Sequence, residues 1–492
     1  WSDAVQVNEA PSHLGVEPPP FTPAASVELG WRMEHGGIFH DRPRFEAVIA
    51  NHGEQDWNGT LRYEMRDYFG DAVQEGDEAL EIASGRTAIV AVERDGDALG
   101  FYEADLALIG PDGRTLAEEH LTMVRTDGEL GSDALALTAG VSFSDNRVNV
   151  VRSLQRLGFT QARVYHLCNW GHCAPEKNEW VSRRPLMNAF MGDADLRLLV
   201  NFQNGAEWVT EGEKYAYPLE HLDDFSDYVR RAAAELEPWL SAVCFINEPN
   251  SHFAGSDRNY CAYALAFARA IDEAVPEIDV LGVQAGSGAH VPYTRRILEA
   301  CGPAFAPSMD ALAFQTHPHG HLPIEENGWE RMLSEMRSLA REYGIDRLWA
   351  TEMAYPVFAE EEAHIPVRSL GRGQLADVTY TERTQADRLT RAALYGLGST
   401  FERFYAFHFL PASQWSGARF PWSMSRYNHL ATPRPVLAAL AVANRMIAGT
   451  ETRAVRVFET PGLWGAAFTG EGRRVDALWS VAGRQHVRVD RT

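Results

Sequence analysis

The sequence predicts an α/β fold, namely a (β/α)8 TIM barrel with an N-terminal β-sandwich domain and a short C-terminal β region. After residue 131, strand-like apolar runs alternate with helical segments over about 300 residues. This alternation gives eight strand–helix units without a break in strand order, which favours a barrel over a doubly wound sheet. Before residue 131 the rhythm differs, with short alternating strands separated by turn signals.

The first 130 residues divide into two predicted segments. Residues 1–26 hold a proline run and should form an extended lead-in, because proline cannot propagate a helix or a central strand. Residues 27–130 contain alternating runs such as 45–49 and 60–65, separated by turns, which is typical of a β-sandwich. This domain could be a carbohydrate-binding module or a support domain, and we favour support because a fold does not imply a function.

Residues 131–449 carry the eight predicted barrel units. The strands are predicted at 136–142, 162–167, 196–202, 242–246, 280–283, 311–315, 348–351 and 404–409. The helices are predicted at 147–157, 222–236, 260–275, 293–300, 329–343, 384–397 and 436–447. Residues 450–492 are predicted as C-terminal strands at 453–458, 465–468, 475–480 and 486–489. They are too few for an independent core, so we expect them to pack on the barrel or the sandwich.

Composition excludes several classes of protein. The chain has 492 residues, 45% of them hydrophobic, which excludes disorder and collagen. It contains no apolar run long enough for a transmembrane helix. Its formal net charge of −23 disfavours nucleic acid and anionic membranes as partners. Oligomeric state stays open.

Cysteine usage and the first residue bear on the compartment. Five cysteines imply no disulfide framework, although Cys168 and Cys173 could pair locally. The chain begins at Trp1 without an initiator Met or a charged-then-apolar leader, which suits a processed secreted protein or a trimmed chain. A secreted or periplasmic location is therefore slightly favoured over a cytoplasmic one.

Two glutamates follow predicted barrel strands. Glu248 comes after strand four, in Asn247-Glu248-Pro249, and Glu352 comes after strand seven. Barrel enzymes place catalytic groups at these carboxyl ends, here called the barrel mouth, so both side chains should project into it. Two carboxylates about 5–5.5 Å apart suit retaining glycoside hydrolysis, and about 6.5–9.5 Å suits inversion. The alternative is two rim carboxylates in ordinary salt bridges.

These residues resemble those of clan A retaining glycoside hydrolases, the barrel superfamily of cellulase-like enzymes, β-xylosidases and α-L-iduronidases. In that clan an Asn-Glu pair, often followed by Pro, closes strand four, and a second Glu closes strand seven. The resemblance covers about 315 residues of barrel and assigns no subfamily. It implies Glu248 as acid/base, Glu352 as nucleophile and Asn247 as the residue that binds the sugar 2-hydroxyl. It also implies a carbohydrate substrate, double displacement and no cofactor.

Other candidates lie at the ends of strands two and six. Arg163 stands in strand two, where many clan members keep an Arg that bonds the nucleophile, and a buried Arg needs such a partner. His317 and His319 follow strand six and are predicted to contact substrate. Some clan families have His-x-Tyr there, with the Tyr touching the nucleophile, so His319 departs from that pattern.

Sugar sites need aromatic platforms and polar groups that fix hydroxyls. Four tryptophans follow predicted strands: Trp170, Trp208, Trp415 and Trp422. Because the clan often keeps a Trp after strand eight, Trp415 is the first choice and Trp422 the second, and each tryptophan could instead anchor a loop. Asn201 and Asn204, near the end of strand three, are predicted hydroxyl binders.

Two other functions stay open. Histidines at 317, 319 and 321, and a His/Cys cluster at 166–173, permit a metal-dependent hydrolase, but neither has a strong ligand spacing, so no metal is predicted. A glycan-binding barrel without activity would tolerate loss of either glutamate. Long loops after strands two, seven and eight slightly favour a pocket for exo cleavage over a cleft for endo cleavage. The sugar and the linkage stay open.

Overall fold

The computed structural model describes residues 26–140, 150–213, 215–286, 290–317, 322–357, 381–409, 422–426, 431–456, 458, 460–470, 472–484 and 486. Over these ranges the chain forms a closed parallel barrel of eight strands, two sheets before it and one small sheet after it. The predicted fold class is confirmed.

The N-terminal domain consists of two facing sheets. Its strands are β1 Val27–Arg32, β2 Ile38–Phe39, β3 Arg44–Asn51, β4 Trp57–Asp67, β5 Ala72–Ile82, β6 Thr87–Glu93, β7 Gly100–Ile109 and β8 Thr115–Arg125. One sheet has the order β1-β3-β6 and the other β2-β8-β7-β4-β5. Along β3 every second side chain is buried, among them Phe45, Ala47 and Ile49, as expected for a strand with one face on a core.

The barrel strands coincide with the eight predicted runs. They are β9 Leu135–Gly140, β10 Gln161–Val164, β11 Arg197–Asn201, β12 Leu240–Cys244, β13 Asp279–Ala285, β14 Ala311–Gln315, β15 Leu348–Met353 and β16 Arg403–Ala406, and β16 closes on β9. The ends of most strands differ from the prediction by one to three residues, and two of these differences concern the candidate glutamates. Strand β12 stops at Cys244, so Glu248 lies in the turn beyond it, whereas β15 continues through Glu352.

Eleven α-helices lie within the described ranges. They are α1 Val150–Arg156, α2 Trp170–Cys173, α3 Arg184–Met191, α4 Glu207–Thr210, α5 Leu222–Leu236, α6 Pro249–His252, α7 Asp257–Ala274, α8 His290–Cys301, α9 Trp329–Glu342, α10 Glu382–Ser399 and α11 Pro435–Met446. Two of them begin at capping side chains. The Ser256 hydroxyl accepts from the Asn259 backbone N–H at 3.2 Å, and Thr381 caps α10 in the same way.

The C-terminal strands β17 Thr452–Arg456, β18 Leu463–Gly470 and β19 Arg473–Ser480 form their own sheet on the barrel. The sheet packs closely on α10, since a Cβ on Gly398 would lie 2.9 Å from that of Ala466. Arg453 Nη1 also donates to the Glu402 carbonyl at 2.7 Å. Packing on the barrel, one of the two expectations for this tail, is what the structure has. The strand predicted at 486–489 lies outside the described residues except His486.

One disulfide joins neighbouring barrel helices. Cys261 on α7 pairs with Cys301 on α8, 40 residues later. The suggested local pair of Cys168 and Cys173 is wrong, because both are free thiols buried in the barrel core. Among the described residues, we find no helix with the length and hydropathy needed to cross a bilayer.

Candidate active site

Glu352 is held in the barrel mouth by side chains from two other strands, β10 and β14, and from the turns that follow them. Its Oε1 accepts from Arg163 Nη1 and from Gln315 Nε2, each at 2.7 Å, and from the Tyr165 hydroxyl. Its Oε2 lies 3.4 Å from His317 Nε2. Since Oε1 already accepts three hydrogen bonds, Oε2 is the oxygen better placed to react.

These partners keep Glu352 ionised. Burial by itself raises the pKa of this carboxyl, but the charge of Arg163 and hydrogen bonds from His317 and Tyr165 outweigh burial. The net result is a pKa below the ordinary value of 4.5. A buried, ionised carboxylate at the barrel mouth is suited to act as a nucleophile.

Glu248 lies in the turn after β12, in the left-handed backbone region at φ 47°. Its backbone N–H donates to the Gln284 carbonyl at 3.2 Å, and Gly286 leaves room for the side chain. A Cβ at Gly286 would be 2.6 Å from Glu248 Oε1, so the carboxyl can keep this position only beside a glycine. Residues from β13 and the turn beyond β12 therefore set where this carboxyl lies.

The pKa of Glu248 is shifted in the opposite direction. Burial raises the pKa of Glu248 and the charge of Glu352 raises it further, while positive charge on His317, His252 and Arg163 offsets part of the rise. Two carboxyls whose environments move their pKa values apart can serve as a protonated acid beside an ionised nucleophile.

Arg163 is fully buried and sits at the centre of a polar network. Besides Glu352, its Nη2 donates to Asn247 Oδ1 at 2.6 Å and to Gln284 Oε1 at 3.0 Å. Asn247 Oδ1 also accepts from Gln315 Nε2. With its oxygen so engaged, Asn247 presents Nδ2 as the group that can donate to a sugar hydroxyl.

A similar fold occurs in a solved structure. A family 39 glycoside hydrolase from the gut symbiont Bacteroides cellulosilyticus WH2 is 15% identical over 88% of this chain and 86% of that chain, with a TM-score of 0.65. The chain shares the fold of this family 39 glycoside hydrolase. The predicted resemblance to the clan A barrels is thus confirmed at the level of fold.

Two further structures are less similar. A β-glucuronidase from Bacteroides uniformis is 9% identical over 92% of this chain and 60% of that chain, with a TM-score of 0.41. A family 2 β-galacturonidase from Eisenbergiella tayi is 11% identical over 86% of this chain and 73% of that chain, with a TM-score of 0.40. No family model matches the sequence, and no curated protein matches it either.

Within the barrel shared with the family 39 enzyme, the sequence-predicted residues around Glu352 come together. Arg163 and His317 contact the Glu352 carboxylate, and Asn247 and Glu248 lie beside them. Trp422 is half-buried in a short described stretch. His319 and Trp415 lie outside the described residues.

The two residues predicted to bind sugar hydroxyls, Asn201 and Asn204, contact protein side chains instead. Asn201 is fully buried, with Oδ1 accepting from Arg163 at 3.2 Å and Nδ2 donating to Gln284 at 2.9 Å. The prediction for Asn201 is wrong, because both ends of its amide hold the arginine network. Asn204 is also buried, and its Nδ2 lies 3.2 Å from His166 Nδ1. It contacts a neighbouring side chain where a sugar contact was expected.

The prediction that Trp170 is a sugar-stacking platform is wrong as well. Its ring is buried in the core and stacks on Tyr228 at 5.5 Å with an interplanar angle of 8°. Trp208 packs edge-on against it and donates from Nε1 to the Ala174 carbonyl at 2.9 Å. These tryptophans anchor the loops after β10 and β11, which was the alternative interpretation.

Three residues of the site escaped the sequence analysis. Tyr165 and Gln315 donate to Glu352, and Phe407 lies edge-on to Tyr165 and His317 at 6.4 and 6.0 Å. Period-two alternation could have revealed Tyr165, since it stands two residues after Arg163 and shares its face. Phe407 follows strand β16, whereas the sequence predicts a tryptophan contact from later residues, Trp415 or Trp422.

Within the described part of the chain, no group of three His, Cys, Asp or Glu side chains is arranged to hold a metal ion. His317 contacts a carboxylate, and Cys168 and Cys173 are buried thiols.

Proposed function

We propose that this protein is a retaining glycoside hydrolase, with Glu352 as nucleophile and Glu248 as acid/base. The observation that carries the proposal is the arrangement of two carboxyls in one barrel mouth. Glu352 accepts hydrogen bonds from Arg163, Tyr165 and Gln315, whereas Glu248 faces the negative charge of Glu352, so their pKa values move in opposite directions. Shared fold with a family 39 glycoside hydrolase supports it at the level of architecture.

In the first step, Glu352 Oε2 attacks the anomeric carbon while Glu248 donates its proton to the departing oxygen. The glycosidic bond breaks, its electrons leave with the protonated alcohol, and an ester forms between the sugar and Glu352. In the second step, Glu248, now a carboxylate, takes a proton from water. The resulting hydroxyl replaces Glu352 at the anomeric carbon, and both carboxyls return to their starting states.

The surrounding side chains stabilise the charge that moves during these steps. Arg163, Tyr165 and Gln315 donate to Oε1, the oxygen that does not attack, so they hold the carboxylate in one orientation throughout. In this proposal, Asn247 Nδ2 donates to the hydroxyl next to the anomeric carbon. No cofactor takes part in this scheme.

Labelling of the nucleophile tests the proposal. The wild type and Glu352→Gln would be incubated with activated 2-fluoro glycosides of pentoses, hexoses and uronic acids, and their intact masses measured. We expect one glycosyl unit on the wild type alone, in the peptide that contains Glu352. Glu335→Gln, an exposed glutamate on α9, is the control and should label like the wild type. Cleavage of a natural glycan without any labelling would contradict the retaining mechanism.

Rescue by azide tests the acid/base. With a 2,4-dinitrophenyl glycoside the leaving group departs without protonation, so Glu248→Ala should form the glycosyl-enzyme and then stall. Azide needs no base to attack, and we expect it to restore turnover and give a glycosyl azide of retained configuration. Rescue of Glu352→Ala to the same retained product would contradict the assignment of the two roles.

We also propose that the enzyme works outside the cytoplasm on a carbohydrate. Disulfides persist in oxidising compartments, and the Cys261–Cys301 pair supports such a location.

A further inference from the structure

The backbone of Glu248 has an uncommon conformation. Its φ is 47° and its ψ is 57°, in the left-handed region that residues with a side chain rarely adopt. Such a conformation persists only where the surrounding contacts hold it. Among the described residues, none donates a hydrogen bond to the Glu248 carboxyl, in contrast to the Glu352 carboxyl. The position of the Glu248 carboxyl therefore depends on the backbone that carries it.

The peptide group between Asn247 and Glu248 is bonded at both ends. Its N–H donates to the Gln284 carbonyl at 3.2 Å, and its carbonyl oxygen lies 3.1 Å from Nδ1 of His252. Because a peptide group is planar, its rotation changes ψ of Asn247 and φ of Glu248 together. The two bonds therefore fix the direction in which the Glu248 side chain leaves the backbone.

The contacts of His252 determine its tautomer and hold its ring in place. A carbonyl oxygen can only accept, so Nδ1 must carry a proton, and the neutral ring is the Nδ1–H form. The backbone N–H of His252 also donates to the Glu248 carbonyl at 2.9 Å. The ring stacks on Tyr215, between α4 and α5, at 5.2 Å with an interplanar angle of 13°. His252 thus bonds the carbonyls on both sides of the Glu248 Cα.

The side chain of Asn247 is held by other residues. Its Oδ1 accepts from Arg163 and Gln315, and its backbone N–H donates to Gln203 Oε1 at 3.1 Å. Loss of the His252 donor should therefore release the peptide group before Glu248 and leave the Asn247 amide on the arginine.

We propose that His252 is a positioning residue for the acid/base. Its Nδ1–H holds the Asn247 carbonyl, and this contact keeps Glu248 in the left-handed turn from which its carboxyl reaches the departing oxygen. The role in catalysis rests on the proposed glycosidase function, whereas the tautomer and the turn do not.

The tautomer can be measured without a substrate. In protein labelled with 15N-histidine, multiple-bond 1H–15N correlation distinguishes the two neutral forms of the ring, and the signals of His252 are identified by their loss in His252→Asn. We expect the neutral ring as the Nδ1–H form. A neutral ring protonated on Nε2 would overturn the proposal, whether or not the protein cleaves glycosides.

Two variants separate the hydrogen bond from the packing of the ring. His252→Phe can still stack on Tyr215 but has no donor, whereas His252→Asn loses the ring and places an amide N–H near the position of Nδ1. On the methyl glycoside of the sugar that labels the wild type, His252→Phe should lower kcat/KM about 100-fold, the effect of a displaced catalytic group. His252→Asn should recover most of this loss. His120→Phe, at an exposed histidine on β8, is the control and should match the wild type.

A leaving group that needs no protonation distinguishes a displaced acid from a general disturbance. On the 2,4-dinitrophenyl glycoside, kcat/KM reports glycosylation and should stay near the wild-type value in His252→Phe. Its kcat should fall, because the same carboxyl acts as the base in the second step. Equal losses of kcat/KM on both glycosides, or a larger loss in His252→Asn than in His252→Phe, would overturn the positioning role.

Two further outcomes separate this inference from the proposed function. An active wild type with unchanged kinetics in His252→Phe would overturn the positioning role and leave the glycosidase intact. A wild type inactive on every glycoside would overturn the proposed function, and the role of His252 in catalysis with it, even if the ring is the Nδ1–H form.

Discussion

At the scale of single residues, the number of donors around each carboxyl explains its charge. Glu352 is 5% exposed yet receives hydrogen bonds from an arginine, a tyrosine and a glutamine, whereas Glu248 faces the negative charge of Glu352. Donors stabilise the ionised form of a carboxyl, and a neighbouring negative charge destabilises it. The division of labour between nucleophile and acid follows from these contacts.

Tyr165→Phe should raise the pKa of Glu352, because it removes a donor to the ionised form. Since Glu352 must be ionised to attack, the acid limb of the kcat/KM profile should move to higher pH, with about a 10-fold loss at neutral pH. Tyr263→Phe on α7 is the control. It removes a hydroxyl that donates to the Pro218 carbonyl and should keep the wild-type profile. An acid limb unmoved in Tyr165→Phe would contradict this account.

Glu248→Gln should stabilise the fold at neutral pH. The pKa of Glu248 is raised in the folded chain, so above that pKa the charged carboxylate opposes folding. We expect about 1 kcal/mol more unfolding free energy at pH 7, in the range of common stabilising substitutions. The gain should vanish as the pH falls below the ordinary value of 4.5, where Glu248 is protonated in both states. Urea unfolding at pH 7 and pH 4 measures the change in unfolding free energy, with Glu335→Gln as the control. An equal increase at both pH values would contradict the electrostatic cause.

The sequence identifies the catalytic candidates but not their supporting contacts. Glu248, Glu352 and Arg163 are recognisable because strand ends and an arginine in an apolar strand stand out locally. The hydrogen bonds that Tyr165 and Gln315 donate to Glu352 join residues 187 and 37 positions apart in the chain, so no local pattern contains them. Trp170 was misassigned because its burial depends on Tyr228, another helix away.

At the scale of elements, period and length decide what sequence can predict. All eight barrel strands were found because apolar runs bounded by turns recur regularly. Helices α2, α4 and α6 have four residues each, too few to show a helical period, so the sequence does not predict them. The exact end of β15 depends on pairing with β14, where Gln315 lies opposite Glu352 after a shift in register.

Gly286→Ala tests how the end of β13 places the acid/base. The new Cβ would lie 2.6 Å from Glu248 Oε1 and 2.7 Å from its Cδ, so the carboxyl must move. Because the new Cβ meets only the end of the Glu248 side chain, we expect the protein to remain folded. For an unactivated glycoside, kcat/KM should fall about 100-fold, which is at the low end of the effect of losing acid catalysis. With a 2,4-dinitrophenyl glycoside, whose leaving group needs no protonation, the rate of the glycosylation step should fall much less.

Gly30→Ala on β1 is the matched control, since its Cβ would meet only the Val48 carbonyl at 4.0 Å. Equal losses on both substrates would show that Gly286→Ala disturbs more than protonation.

The disulfide between α7 and α8 should contribute substantially to stability. It closes a loop across 40 residues, and the chain-entropy model gives about 3–4 kcal/mol for such a loop. In urea unfolding, the double variant Cys261→Ser/Cys301→Ser should have an unfolding free energy lower than that of the oxidised wild type by this amount. Reductant should lower the unfolding free energy of the wild type to that of the double variant, and it should leave the unfolding free energy of the double variant unchanged. A double variant as stable as the oxidised wild type would contradict the estimate.

At the scale of the whole molecule, the sandwich and the barrel share a core. Ile38, Phe101 and Val124 of the sandwich are buried in the same apolar cluster as the barrel helices. Polar contacts add to this, since Thr122 Oγ1 donates to the Pro433 carbonyl at 2.7 Å and Arg426 bridges Glu103 and Glu382. A sandwich bound in this way cannot lose its structure without exposing part of the barrel core.

Calorimetry of Leu106→Ala tests this coupling. Leu106 lies in the sandwich's own core, and its truncation should cost about 2–5 kcal/mol. If the shared core couples the two domains, unfolding stays a single transition at lower temperature. If the sandwich unfolds independently, an early transition separates and the barrel transition stays in place, which would contradict the coupling. Phe101→Ala, which truncates a residue of the shared core, should weaken the coupling itself, so only this variant should give two transitions.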